Sequence, residues 1–356
     1  MNTLGIAKKV IAGFFDWRVR RSLIKKVNSL LSHHSGASWQ DPPETIVAGY
    51  RKLWKKTGIK ADTRWLKVYG NISGEWDYRY IPETIYYSFV EPSLNNKSFS
   101  KCFTDKNLSS LFLKGFKCPE IIVSNIEEVF YGANLAVADM AEVRRAIMEE
   151  KQIIIKPSTD SGGGKDVTRW RVIGENLVSN DVGSLTIEGL LVRYKKNFII
   201  QRVIDQHPFY SRYNASSVNT VRMLTYRSPV DEKIHVIHSV FRVGASGKVT
   251  DNQASGGFAC GVTKEGTLTG LAVDKKGNSY VEVNNVPLEK GLRLEKFDEI
   301  SSTAIGAAGN FYYSRLLGFD LCVDKEGAVV IIEVNNINNE INFFQMLTGP
   351  LFGEYT

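Results

Sequence analysis

Asp320, Glu333 and Asn335 place two carboxylates and an amide in a stretch of two apolar runs, Gly318-Phe-Asp-Leu-Cys-Val323 and Ala328-Val-Val-Ile-Ile-Glu-Val-Asn335. The intervening Asp324-Lys-Glu-Gly327 is a turn signal, so the stretch reads as a β-hairpin. With the turn centred on Lys325 and Glu326, Asp320 falls opposite Ile331. Glu333 then lies two residues along on the same face, about 7–8 Å away diagonally. Asn335 shares that face by the strand period of two, and Val330, Ile332 and Val334 take the other. Three hard oxygen donors on one face suit Mg²⁺, which takes one or two carboxylates and completes its shell with phosphate oxygens and water. The matching partner is a nucleotide. An isolated hairpin with solvated strand ends has the same pattern, and the rest of the chain decides between the two.

A phosphate site needs a fixed cation, and Gln152-Ile-Ile-Ile-Lys-Pro157 supplies Lys156 at the end of a strand that Pro157 stops. The loop that follows contains Ser161, Gly162, Gly163, Gly164 and Lys165, whose backbone N–H groups can close over phosphates. It is not a Walker A loop, because Asp166 follows Lys165 and the upstream glycine is missing. Asn197–His207 forms another strand running into a loop. There Arg202 and Val203 can offer backbone groups to an adenine edge, with Gln201 and His207 reaching exocyclic or ribose groups. A hydrogen-bonded loop histidine is the plainer reading of His207. Further strands at Val218–Tyr226, Lys233–Val243 and Phe258–Val262 present Arg222 and Arg242. Arginine stabilises charge on a transferring phosphoryl group, and Asn252, in the polar turn Asp251–Gly257, adds a metal or phosphate contact.

The elements positioning these residues are legible in outline. A helix opens at a Thr104 or Asp105 cap and closes at Gly115, a strand follows at Glu120–Val123, and helices are expected at Ala138–Glu149 and Phe297–Leu317. Residues 42–96 are rich in Trp and Tyr, with a helix at Glu44–Lys56 and no assignable chemistry. Residues 4–31 carry Ile6, Val10, Phe14, Trp17, Ile24, Val27 and Leu31 at helical spacing, with a break expected near Gly13.

At 356 residues and 43% hydrophobic content the chain can build two or three subdomains. The net charge of +7 is local: Lys8, Lys9, Arg18, Arg20, Arg21, Lys25 and Lys26 stand against Asp16 alone in residues 1–35, which therefore hold six of the seven charges. This argues against a general nucleic-acid surface. The first helix either packs through its apolar stripe or lies on an anionic membrane through residues 1–31. Four dispersed cysteines without Cys-x-x-Cys spacing read as reduced cytoplasmic thiols, and no apolar run is long enough to span a bilayer. The expected location is cytoplasmic, with peripheral attachment at the inner membrane face as the variant.

Lys156 on a strand, a glycine loop, the Gln201–Val203 hinge, an arginine strand and the Asp320…Glu333-x-Asn335 hairpin, in that order, resemble the ATP-grasp superfamily over about residues 100–345. The combination Gln201…Gln206-His-Pro208…Ser217-Val-Asn-Thr-Val-Arg222…Asp251-Asn252…Gly256-Gly257 is similar to the sugar-transfer associated ATP-grasp group, related to α-L-glutamate ligases. The resemblance implies an α+β fold in which two α/β lobes clasp ATP, with a helical N-terminal extension. With the composition of the first hundred residues it divides the chain into four regions: 1–36 the basic helix and linker, 37–100 an accessory region, 101–200 the small lobe and its lead-in, and 201–356 the large metal-binding lobe. It further implies ATP and Mg²⁺ as cofactors, and Asn219, Asp251, Ser255, Gly256 and Gly257 near the substrate. The implied activity is a carboxylate–amine ligase working through an acyl phosphate on a sugar acid or saccharide-linked intermediate in surface polysaccharide synthesis, with an amine, such as an amino acid, as acceptor. A phosphotransferase acting on a hydroxyl, with Asp251 as its base, and a non-catalytic nucleotide-binding module are the alternatives. Where glutamate ligases carry Pro-Gly after Glu-x-Asn, this chain has Asn338-Asn339, so the acceptor side is not carried over.

Overall fold

Period-two apolar patterning through residues 121–202 and again through 220–335 builds two antiparallel sheets. The computed structural model describes residues 3–355 apart from 37, 59, 160–163 and 165, and leaves the side chains of the first seventeen residues undescribed. The strands are β1 (Ile121–Ile126), β2 (Val129–Gly132), β3 (Gln152–Pro157), β4 (Thr168–Ile173), β5 (Asn176–Ser179), β6 (Gly183–Thr186), β7 (Phe198–Arg202), β8 (Thr220–Arg227), β9 (Ile234–Val243), β10 (Phe258–Val262), β11 (Leu268–Val273), β12 (Ser279–Tyr280), β13 (Glu282–Val283), β14 (Val286–Pro287), β15 (Leu316–Val323) and β16 (Val329–Asn335). The first sheet runs β2-β1-β7-β3-β4-β5-β6 and the second β12-β11-β10-β9-β8-β15-β16, with β13 and β14 a separate pair.

The first sheet packs Ile153, Ile155, Trp170, Phe198 and Ile200 against the helix Met140–Met148. That helix starts where a capping box predicts: the Asp139 carboxylate accepts from the Glu142 N–H, and the Glu142 carboxylate accepts from the Asp139 N–H. The second sheet is covered on both faces. On one side Val221, Met223, Phe241, Phe319 and Leu321 meet the helix Phe297–Ala308 through Phe297, Ile300, Ala304 and Ala307. On the other, Leu224, Tyr226, Val240, Ala259 and Leu316 meet Val27 and Leu30 of α1 (Thr3–His33), Trp65, Val68 and Ile72 of α3 (Thr63–Ser73), and Phe344 and Met346 of the helix Asn342–Thr348. The helix Glu44–Trp54, α2, adds Tyr50 and Trp54 to the same core. The aromatic-rich N-terminal region is therefore the second helical layer of the second sheet.

Three expectations are corrected. The helix read at 104–115 is broken into short turns, because the Lys106 N–H leaves helical register to donate to Ser158 O at 2.9 Å; the Asp105 cap is real, accepting from Asn107 N. The helix read at 297–317 stops at Ala308, and Leu316 and Leu317 already belong to β15. The first helix runs through Gly13 unbroken, and its Val27 and Leu30 are buried on α3. No helix among the described residues is long and apolar enough to cross a membrane. All four cysteines are free thiols, and burial pushes Cys118 up to about 11 and Cys260 up to about 12.

Candidate nucleotide and metal site

The two sheets face each other across a cleft of about 740 Å³. β3 and the end of β7 form one wall, β8, β9, β15 and β16 the other, and residues 249–252 and 336–340 bound it.

The hairpin β15–β16 differs from its sequence reading by one residue. A three-residue loop, Lys325–Gly327, replaces the two-residue turn: Gly327 takes φ +83°, and Asp324 Oδ1 accepts from Glu326 N and Ala328 N. The register also shifts between Asp320 and Leu321, so Leu321 faces Ile331 and Asp320 faces Glu333 directly, leaving Ile332 as the bulge residue. The bulge brings the two carboxylates into direct opposition, with Asn335 opposite Gly318 further along. Asp320, Glu333 and Asn335 all line the cleft.

Arg222 and Arg242 reach Asp320 from the neighbouring strands. Arg222 donates from Nε at 2.6 Å and Nη2 at 2.5 Å, one bond to each oxygen, and Arg242 Nη1 lies 3.1 Å from both. Burial alone would raise the Asp320 pKa, but the two guanidinium groups overcome it and hold the carboxylate at about 2. The sequence reading aimed both arginines at the γ-phosphate; they line the cleft, and the contacts they make within the protein are to carboxylates. Arg242 also pairs with Asp251 at 3.2 Å, and the other Asp251 oxygen accepts from the Thr220 hydroxyl. Burial raises the Asp251 pKa against the pull of Arg242.

Lys156 emerges from β3 almost buried, at 8% exposure, and lines the cleft. Desolvation lowers its ammonium pKa to about 8, with Glu333 pulling the other way. Lys106, which sequence reasoning missed, stands beside it, its Nζ 3.0 Å from Glu333 Oε1. A lysine one residue past a helix cap looks like a solvated surface charge, and only the backbone bond to Ser158 at the end of β3 brings it into the cleft.

Gly164 is the described part of the glycine loop; Ser161, Gly162, Gly163 and Lys165 lie outside the described residues. A Cβ on Gly164 would come 3.4 Å from the Thr250 side chain and 3.5 Å from Asn252 Nδ2, so Gly164 itself stands against the rim formed by Thr250 and Asn252. Asn252 lines the cleft there.

Gln201, Arg202 and Val203 line the cleft at the end of β7. The Arg202 guanidinium is held by Glu120 and Glu150, and its N–H donates to Glu120 O at 2.9 Å, so that backbone donor is already used. Other predicted positions stand behind the wall. His207 does not line the cleft: its Nδ1 accepts from Phe209 N at 3.3 Å, capping the turn Pro208–Ser211, and lies 3.6 Å from Glu295. Asn219, 1% exposed, donates to Gln206 Oε1, Tyr210 O and Asn214 O and ties the loop after β7 to the start of β8. Ser255, Gly256 and Gly257 shape the turn that presents Asp251 and Asn252. Ser255 N and Gly257 N both donate to Asn252 O, and a Cβ on Gly257 would fall 2.5 Å from Asp251 O.

The oxygen donors, two facing carboxylates and an amide, fit a divalent cation of the hard type, which would displace the Lys106 ammonium from Glu333 and share Asp320 with its two guanidinium groups. Asp320, Glu333 and Asn335 would hold Mg²⁺, and the metal would neutralise charge on the terminal phosphates.

The family model of sugar-transfer associated ATP-grasp proteins matches residues 87–353. No curated protein sequence matches significantly. Solved structures similar in fold include the ATP-grasp ligase PsnB complexed with a phosphomimetic variant of its minimal precursor, Mg and ADP (14% identity, 73% of this chain and 60% of that one, TM-score 0.38). Others are the N5-carboxyaminoimidazole synthetase from Staphylococcus aureus complexed with ADP (10%, 67% and 46%, 0.38) and the VanG D-Ala:D-Ser ligase from Enterococcus faecalis (14%, 74% and 64%, 0.39). At these identities and TM-scores none of their activities transfers to this chain. The family match, in contrast, spans both sheets and every residue lining the cleft, and the chain belongs to the sugar-transfer associated ATP-grasp family.

Proposed function

We propose that the protein is an ATP-dependent carboxylate–amine ligase that activates the carboxylate of a sugar acid or saccharide-linked intermediate as an acyl phosphate, in the assembly of a surface polysaccharide. The observation that carries this reading is the distribution of charge in the cleft. Lys156 and Lys106 line a cleft of nucleotide size together with Glu333 and Asp320, Lys106 in contact with Glu333, and Arg222 and Arg242 are bound to Asp320. Such a site brings two anions together, which carboxylate phosphorylation demands. A carboxylate oxygen attacks the γ-phosphorus, the bond to ADP breaks, and an acyl phosphate forms. The amine nitrogen, in its unprotonated form, then adds to the carbonyl carbon, and phosphate leaves with cleavage of the C–O bond and takes the proton that the nitrogen gives up. The family description supports the saccharide side of the reading.

Transfer to a hydroxyl would need a free base beside the acceptor. The carboxylates that line the cleft outside the hairpin are each engaged, Asp251 by Thr220 and Arg242, Asp205 by Lys325 and Glu340 by Lys26, which disfavours that role. Incubation with ATP, Mg²⁺, hydroxylamine and a panel of uronic acids, with no other amine, is expected to give a hydroxamate together with ADP and phosphate. A stable phosphate monoester on the sugar would replace the ligase by a kinase.

Lys156 gives the nucleotide site a pH signature. Its depressed pKa means that the free protein loses this cation as pH rises through about 8, and phosphate binding to the charged form restores it. AMPPNP affinity, measured by calorimetry with Mg²⁺, is expected to be flat below pH 8 and to fall above it, approaching about tenfold per unit. Lys156→Ala is expected to lose about 1.5–3 kcal/mol of affinity at pH 7 and the fall above pH 8 with it. An unchanged profile in the variant would remove Lys156 from the phosphate site.

A further inference from the structure

Beyond Asn335 the wall of the cleft continues through Ile337, Asn338, Asn339 and Glu340, and this stretch is shaped from beneath by the first hundred residues. Asn339 N donates to the buried Glu91 at 3.0 Å, and the Tyr87 hydroxyl donates to Asn339 O at 3.2 Å. Lys26 of α1 donates to Glu340 at 3.0 Å and to Glu83 at 2.8 Å. Glu83 is fully buried and also accepts from Asn342 Nδ2 at 2.7 Å. One ammonium thus serves two carboxylates. Glu83 is sealed off, whereas Glu340 lines the cleft with its side chain 40% exposed. Beside it the side chain of Asn339, 6% exposed, also lines the cleft, and its Nδ2 has no hydrogen-bond partner. Two more cations, Arg222 and Lys275, act on Glu340 without contacting it, and Arg222 is committed to Asp320.

A carboxylate at this position disfavours two of the three reactants of a ligase. ATP is an anion and so is the acid to be activated, and each would be repelled by Glu340. The amine substrate, cationic in its resting ammonium form, is the reactant that this end of the cleft attracts. The geometry points to Glu340, steadied by Lys26, as the group that binds the ammonium of the acceptor, with the Asn339 side-chain amide N–H left to donate to an oxygen of the same molecule, and to the N-terminal helical layer as the acceptor half of the site. This inference rests on the ligase reading and gives a role to a region that carried no assignable chemistry in the sequence. It also accounts for the departure after Glu-x-Asn: Asn338, at φ +56°, and Asn339 turn the chain so that Glu340 meets Lys26.

The test uses full-length protein loaded with Mg²⁺ and AMPPNP, and glycinamide as the probe, with acetamide as its uncharged counterpart. Ligand-observed NMR is expected to show glycinamide binding, no acetamide binding at the same concentration, a loss of at least about tenfold in glycinamide affinity for Glu340→Gln, and retention within a few-fold for Glu340→Asp. AMPPNP affinity is expected not to fall in either variant, and the melting temperature to be unchanged. Equal binding of glycinamide to wild type and Glu340→Gln, equal binding of acetamide, or no glycinamide binding to wild type overturns the inference. A parallel loss of AMPPNP affinity in Glu340→Gln overturns it too, since Glu340 would then hold the wall rather than bind the amine. A wild-type protein that does not bind Mg²⁺–AMPPNP overturns instead the ligase reading on which the inference stands.

Discussion

Glu333→Gln is expected to keep the fold and lose Mg²⁺-dependent ATP turnover by roughly a hundredfold or more. The side chain is one-third exposed and its ion pair is with Lys106, so the amide costs under about 1 kcal/mol of stability. What it removes is one of the two facing carboxylates, leaving Asp320, whose charge is already balanced by two arginines. Near-normal turnover at saturating Mg²⁺, with an unchanged melting curve, would take Glu333 out of the metal site.

Arg242→Met should have the largest effect on stability. Arg242, 5% exposed, bridges Asp320 and Asp251, and its removal leaves Asp320 with Arg222 and the buried Asp251 with no cation in contact. Breaking a buried ionic network from one side costs about 3–5 kcal/mol, because the surviving charge has no compensation. The double variant Arg242→Met/Asp251→Asn is expected to recover about half of that loss, since it removes the orphan along with the cation. Urea unfolding of the three proteins checks this. Equal stability of wild type and Arg242→Met would show that the network is solvated and that Asp320 is held by Arg222 alone.

How much of this site the sequence discloses depends on whether a residue acts through its own strand or through someone else's. Asp320, Glu333 and Asn335 are legible because a period of two and a glycine turn fix a hairpin. The bulge at Ile332 is not, because an isoleucine in a bulge leaves no compositional mark. Lys156 is legible as the polar end of an apolar strand. Lys106 and Glu340 are not, because each enters the cleft through a long-range bond, to Ser158 and to Lys26 respectively. Asn219, Ser255, Gly256 and Gly257 lie in the right motif but stand one layer back. A buried asparagine bonding three loop groups and an asparagine bonding a substrate have the same local sequence, and only the tertiary contacts separate them. The strands β4, β5 and β6 are not legible because their outer face is polar and the last two have only four residues each, whereas β15 is buried along its whole length.

The central claim is that phosphoryl transfer is to a carboxylate and that the resulting acyl phosphate is consumed by an amine. The direct measurement is isotope transfer: the uronic acid that yields a hydroxamate is supplied with ¹⁸O in its carboxylate, and the inorganic phosphate released during hydroxamate or amide formation is analysed by mass. An acyl phosphate intermediate requires one ¹⁸O to pass from the acid to each phosphate released. Phosphate free of ¹⁸O, with the label retained in full by the acid or its product, would contradict the account.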